Sequence, residues 1–294
     1  MQKTRRVRPL TIVIAFALLI VLFFGMVFAA LHHGEKVRFG LIPGAHAFGA
    51  AHLMQSVSPQ YTCAAYTDEE VILRALDNRL LDAALISIES ALTLPEDQYM
   101  IHGVFSVTDL AAVSHDPTVT GMGSLSGRTL ILPADLKDGK ADAMLQALLT
   151  ETDGAGYTLE YAKDPAAAYA KNPGSVMLLP LDDLEHVLGK DPSLIAGFRL
   201  SPQWRTSFLS AAPAGHVIVC RRDAMGTGTF NAFEKAVRSS VLYADRKRKK
   251  TVAMAVGAGL FDTETAADRV FDLMSFSYLE GADRDASISA WKEL

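Results

Sequence analysis

The stretch TDEEVILRALDNRLLDAALISIES, residues 67–90, decides how this chain is read. Thr67 and Glu70 have the T-x-x-E spacing of a helix-opening capping box. Val71, Ile72, Ala75 and Leu76 share one helical face, and Glu70 and Arg74 pair at i, i+4 on the other. Asn78 reads as a left-handed residue ending the helix. LDAALIS then runs apolar except for Asp82 and Ser87, the pattern of a short strand covered on both faces. Ser87, Glu89 and Ser90 follow at its carboxyl end, where open α/β sheets bind ligands.

The same rhythm extends outward. KVRFGLI and YTCAAY are strands before the opening helix, with PGAHAFGAAHLMQSV between them as a loop and a helix. RTLILP, YTLEYA and SVMLLP are strands of a second set, alternating with the helices KADAMLQALLTE and DPAAAYAKN, and LDDLEHVLG follows as another helix. This alternation predicts α/β layers around largely parallel sheets. DLAAVSHD and GHVIVCRRD are strands that cross between the two sets, and the last third is helical. The expected domains are 1–34 as a leader, 35–112 and 113–215 as two lobes, and 216–294 as a return mostly to the first lobe.

Composition narrows the function classes. The chain has 294 residues, is 50% hydrophobic and carries a net charge of -5. Low-complexity disorder is excluded by that apolar content, and nucleic acid is not an expected partner without a basic excess. Lys3, Arg5, Arg6 and Arg8 precede an apolar run from Leu10 to Leu31, long enough to span a bilayer with its basic flank on the cytoplasmic side. Val27 and Ala29 stand at the positions of a signal-peptidase site, so a cleaved signal peptide and a retained anchor both remain open. Either places the acidic remainder outside the cytoplasm, in the periplasm or at the cell surface. No Cys follows the run to carry a lipoprotein anchor. Cys63 and Cys220 read as buried thiols rather than a disulfide framework.

Catalytic signatures are missing: there is no H-E-x-x-H, G-x-S-x-G, P-loop or C-x-x-C. His46 and His52 are too far apart to ligate a metal from one helix turn. No enzyme activity, cofactor or metal is expected. The basic run from Arg246 to Lys250 reads as a solvated helix end. What remains is four loops at strand ends. Ala45, His46 and Ala47 lie after the first strand, Ser87 and Glu89 after LDAALI, Gly139 and Lys140 after RTLIL, and Pro180 and Asp182 after SVMLL. Facing each other, these loops would line one cleft between lobes. Helix N–H groups near Gly139 and the charge of Lys140 would suit an anion.

The order of these motifs resembles ABC-transporter substrate-binding proteins of the nitrate/sulfonate/taurine type, a group that includes binders of the thiamine pyrimidine precursor. RALDNRLLDAAL, SLSGRTLILP, ADAMLQALL, GSVMLLPLDD and HVIVCRRDAM correspond in turn to its segments, over roughly residues 37 to 275. The resemblance implies a two-lobed periplasmic-binding-protein type II fold with two crossover strands, after an N-terminal signal or transmembrane helix. It also implies capture of a small organic molecule or anion in an interlobe cleft by a monomer, for delivery to a membrane permease and its ATPase. A tethered sensory module, or less favourably an enzyme on the same fold, is the alternative. Arg79 stands where the family often has Gly, Lys140 replaces a common Ser, and Leu179 replaces an acidic residue or Trp. The Cys-rich motif of the eukaryotic pyrimidine synthases of this fold is absent.

Overall fold

The computed structural model describes residues 36–151 and 156–294. The N-terminal apolar run, and with it the expected signal or membrane helix, lies outside the described residues. Among the described residues no helix is long and apolar enough to cross a membrane.

The opening stretch folds much as its pattern predicts, with both helix ends moved by one residue. Helix Glu69–Asp77 is capped by Asp68, whose side chain accepts from the Val71 N–H, so Thr67 is not the cap. A carboxylate at that position answers both the free N–H groups and the positive end of the helix. The left-handed residue is Arg79, at φ 58°, and Asn78 keeps a negative φ while its side chain bonds the Arg74 carbonyl. Glu70 and Arg74 pair as expected. Strand Ala83–Ser87 follows, with Ala83 to Ile86 fully buried.

The described residues form two five-stranded sheets, and both are mixed rather than largely parallel. The first contains β1 (Val37–Leu41), β2 (Tyr61–Ala65), β3 (Ala83–Ser87), β4 (Tyr99–Val107) and β10 (Ala214–Arg221), in the order β2-β1-β3-β10-β4. β1 runs parallel to β2 and β3, whereas β10 is antiparallel to β3 and β4. The second contains β5 (Leu110–Ser114), β6 (Thr129–Pro133), β7 (Thr158–Ala162), β8 (Val176–Pro180) and β9 (Ile195–Arg199), in the order β7-β6-β8-β5-β9. β6 is parallel to β7 and β8, and β5 is antiparallel to β8 and β9. The antiparallel strands are those that enter each sheet from the other half of the chain, or border such an entry.

Two short connections join the halves. Thr108 and Asp109 carry the chain from β4 into β5, and Leu209 to Pro213 bring it back from the helix Leu200–Phe208 into β10. The two passages are stitched together, because the Thr108 N–H donates to the Pro213 carbonyl and its hydroxyl to the Ala214 carbonyl, both at 2.8 Å. Beside them the buried Asp109 carboxylate accepts from the N–H and hydroxyl of Ser201 and from Arg199.

Core packing explains why the sheets hold their places. Leu41, Phe48, Leu85, Ile218 and Phe233 fill the space between the first sheet and the C-terminal helices, and each is nearly inaccessible to solvent. Full burial of such a side chain contributes about 1.5–3 kcal/mol. Leu130, Leu132, Leu145, Leu148 and Leu178 do the same on one face of the second sheet. The helix Glu264–Phe271 reaches across, where the Arg269 guanidinium donates to the carbonyls of Leu188 and Leu194, both at 2.5 Å.

Candidate functional site

The loop after β1 carries the centre of the site. Gly44 has φ 151°, and a Cβ there would lie 2.7 Å from Asp182 Oδ1. Glycine therefore lets the Asp182 carboxylate settle onto the following turn, Ala45–Ala50. Asp182 comes from the turn Leu181–Asp183 after β8, so the contact joins the two sheets. Its Oδ1 accepts from the His46 main-chain N–H at 3.1 Å and from His46 Nδ1 at 2.9 Å. His216, on the returning strand β10, stacks on the His46 ring with centroids 3.8 Å apart and planes within 9°. The Nδ1 atom of His216 meets the Ser106 hydroxyl of β4 at 3.1 Å.

Electrostatics divides the three groups. Burial pulls the His46 pKa down, but the charge of Asp182 and its hydrogen bond outweigh that, with smaller help from Glu69 and the Ile42 carbonyl, so it stands above its ordinary value. Burial, then the His46 charge against its face, pushes His216 down to about 3, which keeps that ring neutral. Asp182 is opposed by burial as well, yet the charge of His46 and its two hydrogen bonds hold it well below the usual carboxylate range. More than a third of its side chain remains exposed, at 38%, so it still meets solvent. Asp183 is displaced upward by burial, then by Asp182 and Asp135.

A second feature adjoins the first. A cavity of about 370 Å³ opens between the sheets, with Ser106 and Leu181 on its wall. Arg199, Arg205, Ser275 and Ser277 also border it. Arg199 is spoken for by Asp109 and the Ser275 hydroxyl, whereas Arg205 has neither a hydrogen bond nor an ion pair among the described residues. One exposed guanidinium and several hydroxyls make a surface suited to an oxyanion. A larger groove, about 780 Å³, runs between the helices Pro165–Lys171 and Leu184–Lys190, but only the second sheet and its helices line it.

The residues singled out in the sequence are distributed unevenly around this centre. His46 and Asp182 are brought into direct contact. Ala45 and Ala47 are buried core residues on either side of His46. Ser87 is turned to structure: its hydroxyl accepts from the Ser90 N–H, and it donates to Glu69 through its own N–H and hydroxyl. Glu89 is exposed. Pro180 ends β8 in register with Leu110. Gly139 precedes the helix Lys140–Glu151, whose opening turn is served internally by the buried Asp142 carboxylate, which accepts from the Asp138 N–H. Lys140 lies over the Trp291 ring, 4.8 Å from its centroid, and borders neither cavity.

His216, Ser106, Arg199 and Arg205 are absent from the sequence reading. His216 had a visible signal, a polar ring interrupting the apolar strand GHVIVC. Arg199 and Arg205 lie in RLSPQWRT, where nothing in the spacing separates them from ordinary surface cations.

No protein-family model and no curated protein matches the sequence. Solved structures do match. An ABC transporter protein from Parabacteroides distasonis superposes with a TM-score of 0.66 at 17% identity, over 88% of this chain and 92% of that one. The ligand-binding component of an ABC-type import system from Staphylococcus aureus, solved with zinc bound, gives 0.59 at 11% identity, over 88% and 91%. The periplasmic aliphatic sulphonate binding protein of Escherichia coli gives 0.58 at 13% identity, over 88% and 86%. With its two mixed sheets, short crossings and flanking helices, the chain therefore has a periplasmic-binding-protein fold.

Proposed function

We propose that this protein is the solute-binding component of an ABC importer. It captures a small organic molecule or anion between two lobes, one built on each sheet, and delivers it to a membrane permease powered by an ATPase. The observation that carries this reading is the cavity between the sheets, about 370 Å³, with the exposed Arg205 and a rim of hydroxyls. Its size falls in the range of pockets for small ligands. The likeness of fold to import-system binding components supports the same conclusion.

Binding of this kind uses no covalent chemistry. The halves close about the crossings at Thr108–Asp109 and Ala214, as hinged binding domains do. The N-terminal apolar run serves as a signal peptide or anchor and puts the monomer outside the cytoplasm, beside its permease. Selection falls to Arg205 from the second half and to Ser106 and Ser277 from the first, with Arg199 held beside them by Asp109 and Ser275. This moves the anion-recognising charge from Lys140, which is engaged by Trp291, to Arg205.

A thermal-shift panel on the full-length chain tests the reading, because a ligand that binds only the folded state raises the melting temperature. Sulfonates, nitrate, pyrimidines and aromatic acids make up the panel. At least one is expected to stabilise the protein, and Arg205→Ala is expected to weaken it at least tenfold. A panel that shifts nothing, or a hit indifferent to Arg205→Ala, would overturn the site.

A further inference from the structure

We propose that His46, Asp182 and His216 form a site for one divalent transition-metal ion of the zinc class, held between the two sheets. The site is separate from the solute cavity, although Ser106 borders both, and does not depend on the solute reading.

Three elements supply it: the turn after β1, the turn after β8, and β10. One ligand atom from each residue lies within 4.8 Å of the other two. Two imidazoles and a carboxylate suit zinc, nickel or copper, whereas magnesium and calcium prefer all-oxygen sets. Zinc–nitrogen bonds of about 2.0–2.1 Å put neighbouring donors of a tetrahedral site roughly 3.4 Å apart. The His46 Nδ1–Asp182 Oδ1 pair, at 2.9 Å, therefore has to open slightly to admit the ion, while no two of the three donors start more than 4.8 Å apart. A fourth position stays open for water or another ligand.

The surroundings favour a cation. Asp182 is paired with His46, and no lysine or arginine salt bridge to it occurs among the described residues. Glu69 acts on His46, and Asp183 adds negative charge next to Asp182, with Asp135 and His186 acting in turn on Asp183. Outer contacts also orient the donors. The His46 N–H fixes the Asp182 carboxylate, and the Ser106 hydroxyl holds His216 Nδ1, leaving the other nitrogen of that ring to ligate.

A second cluster of similar composition shows what a satisfied counterpart looks like. His102, Glu234 and Glu280 also bring their ligand atoms together. There Arg238 already binds both carboxylates, and Tyr278 meets His102 Nδ1 at 2.7 Å. Among the described residues Asp182 has no such guanidinium. In the metal-free arrangement a proton on His46 Nδ1 bridges to Asp182, and the two rings lie face to face. The ion takes the place of that proton, which leaves to water. One ring turns as it binds, since two face-to-face rings cannot both aim a nitrogen at the same ion.

Zinc itself is the probe. Full-length protein, stripped with a chelator, is titrated with zinc against a chromophoric competitor, and bound metal is counted after dialysis. One zinc per chain is expected, and Asp182→Ala and His216→Ala should each weaken binding at least tenfold, while His102→Ala leaves it unchanged. His216→Asn serves as a second variant, and circular dichroism confirms that each variant is folded. Absence of stoichiometric zinc, wild-type affinity in folded Asp182 and His216 variants, or loss through His102→Ala overturns the proposal. Solute binding measured on chelator-treated protein, with Arg205→Ala, is read independently, so either claim can fail alone.

Discussion

Oδ1 of Asp182 accepts two hydrogen bonds from His46, one from its main chain and one from its ring, and so fastens the loop after β8 to the loop after β1. A bond to a charged group contributes about 1.5–3 kcal/mol when well buried, and the 38% exposure of Asp182 reduces this to about 1 kcal/mol. Asp182→Ala and His46→Ala should each lower stability by roughly that amount or somewhat more. The double variant should cost less than the two single costs added together. Urea unfolding of all four proteins measures the coupling; strictly additive losses would mean that the contact contributes nothing in solution.

Asp82 sets part of the acid stability. Burial alone would raise its pKa, but bonds from the Arg38 side chain and main chain and the charge of Arg221 lower it. A carboxylate depressed in the folded state stabilises fully above its unfolded pKa and loses that contribution as pH falls through its folded one. Asp82→Asn should therefore cost on the order of 2 kcal/mol at neutral pH, since it breaks a largely buried pair. The gap from wild type should narrow as the pH drops below about 4. Chemical unfolding at a series of pH values checks this, and a gap that is constant or widens in acid contradicts it.

Arg79 occupies a left-handed position, at φ 58°, in the turn between the opening helix and β3. That conformation costs a non-glycine residue about 1–2 kcal/mol, and a β-branched one more. Its ion pair with Asp223, at 3.6 Å, is too exposed to offset much. Arg79→Gly should leave the melting temperature unchanged or raise it slightly, and Arg79→Val should lower it by an amount equivalent to about 1–2 kcal/mol. Equal melting temperatures for the two variants would show that the turn relaxes out of this conformation.

Both cysteines are free thiols, and burial raises their pKa, to about 12 for Cys63 and higher for Cys220. Thiolate is the reactive form. A disulfide-exchange reagent at mildly alkaline pH should label neither quickly in the native protein and both after denaturation. Rapid native labelling of Cys220, which is fully buried in β10, would mean that this strand opens readily.

The opening stretch shows how much of the fold was legible and where it blurred. Alternating apolar pattern and turn chemistry are local properties, so the helix Glu69–Asp77 and strand Ala83–Ser87 stood out at once. The cap moved from Thr67 to Asp68 because adjacent residues both have capping side chains, and only the path of the chain chooses between them. β4 is not legible in the sequence although it is nine residues long, since YMIHGVFSV mixes polar and apolar positions without a clean period. Its place as a strand depends on β10, which pairs along its length.

The residues singled out in the sequence divide along the same line. His46 and Asp182 lie in strand-end loops, which are visible in a sequence, and the fold brings them into contact. Ser87 is also at a strand end, but its hydroxyl went to capping and to Glu69, a choice made by the helix folded over it. Lys140 went to Trp291, contributed by the C-terminal helix Gly281–Glu293.

By itself the sequence determined the alternation of strands and helices, the crossings between two sets of strands, and the loops at the strand ends. These follow from periodicity and from turn residues acting over a few positions. Tertiary structure alone decided that both sheets are mixed, that His216 lies against His46, and that Arg205 rather than Lys140 faces the cavity between the sheets. Such juxtapositions join residues far apart in the chain. Burial and charge assign them their roles only once folding has brought them within a few ångströms.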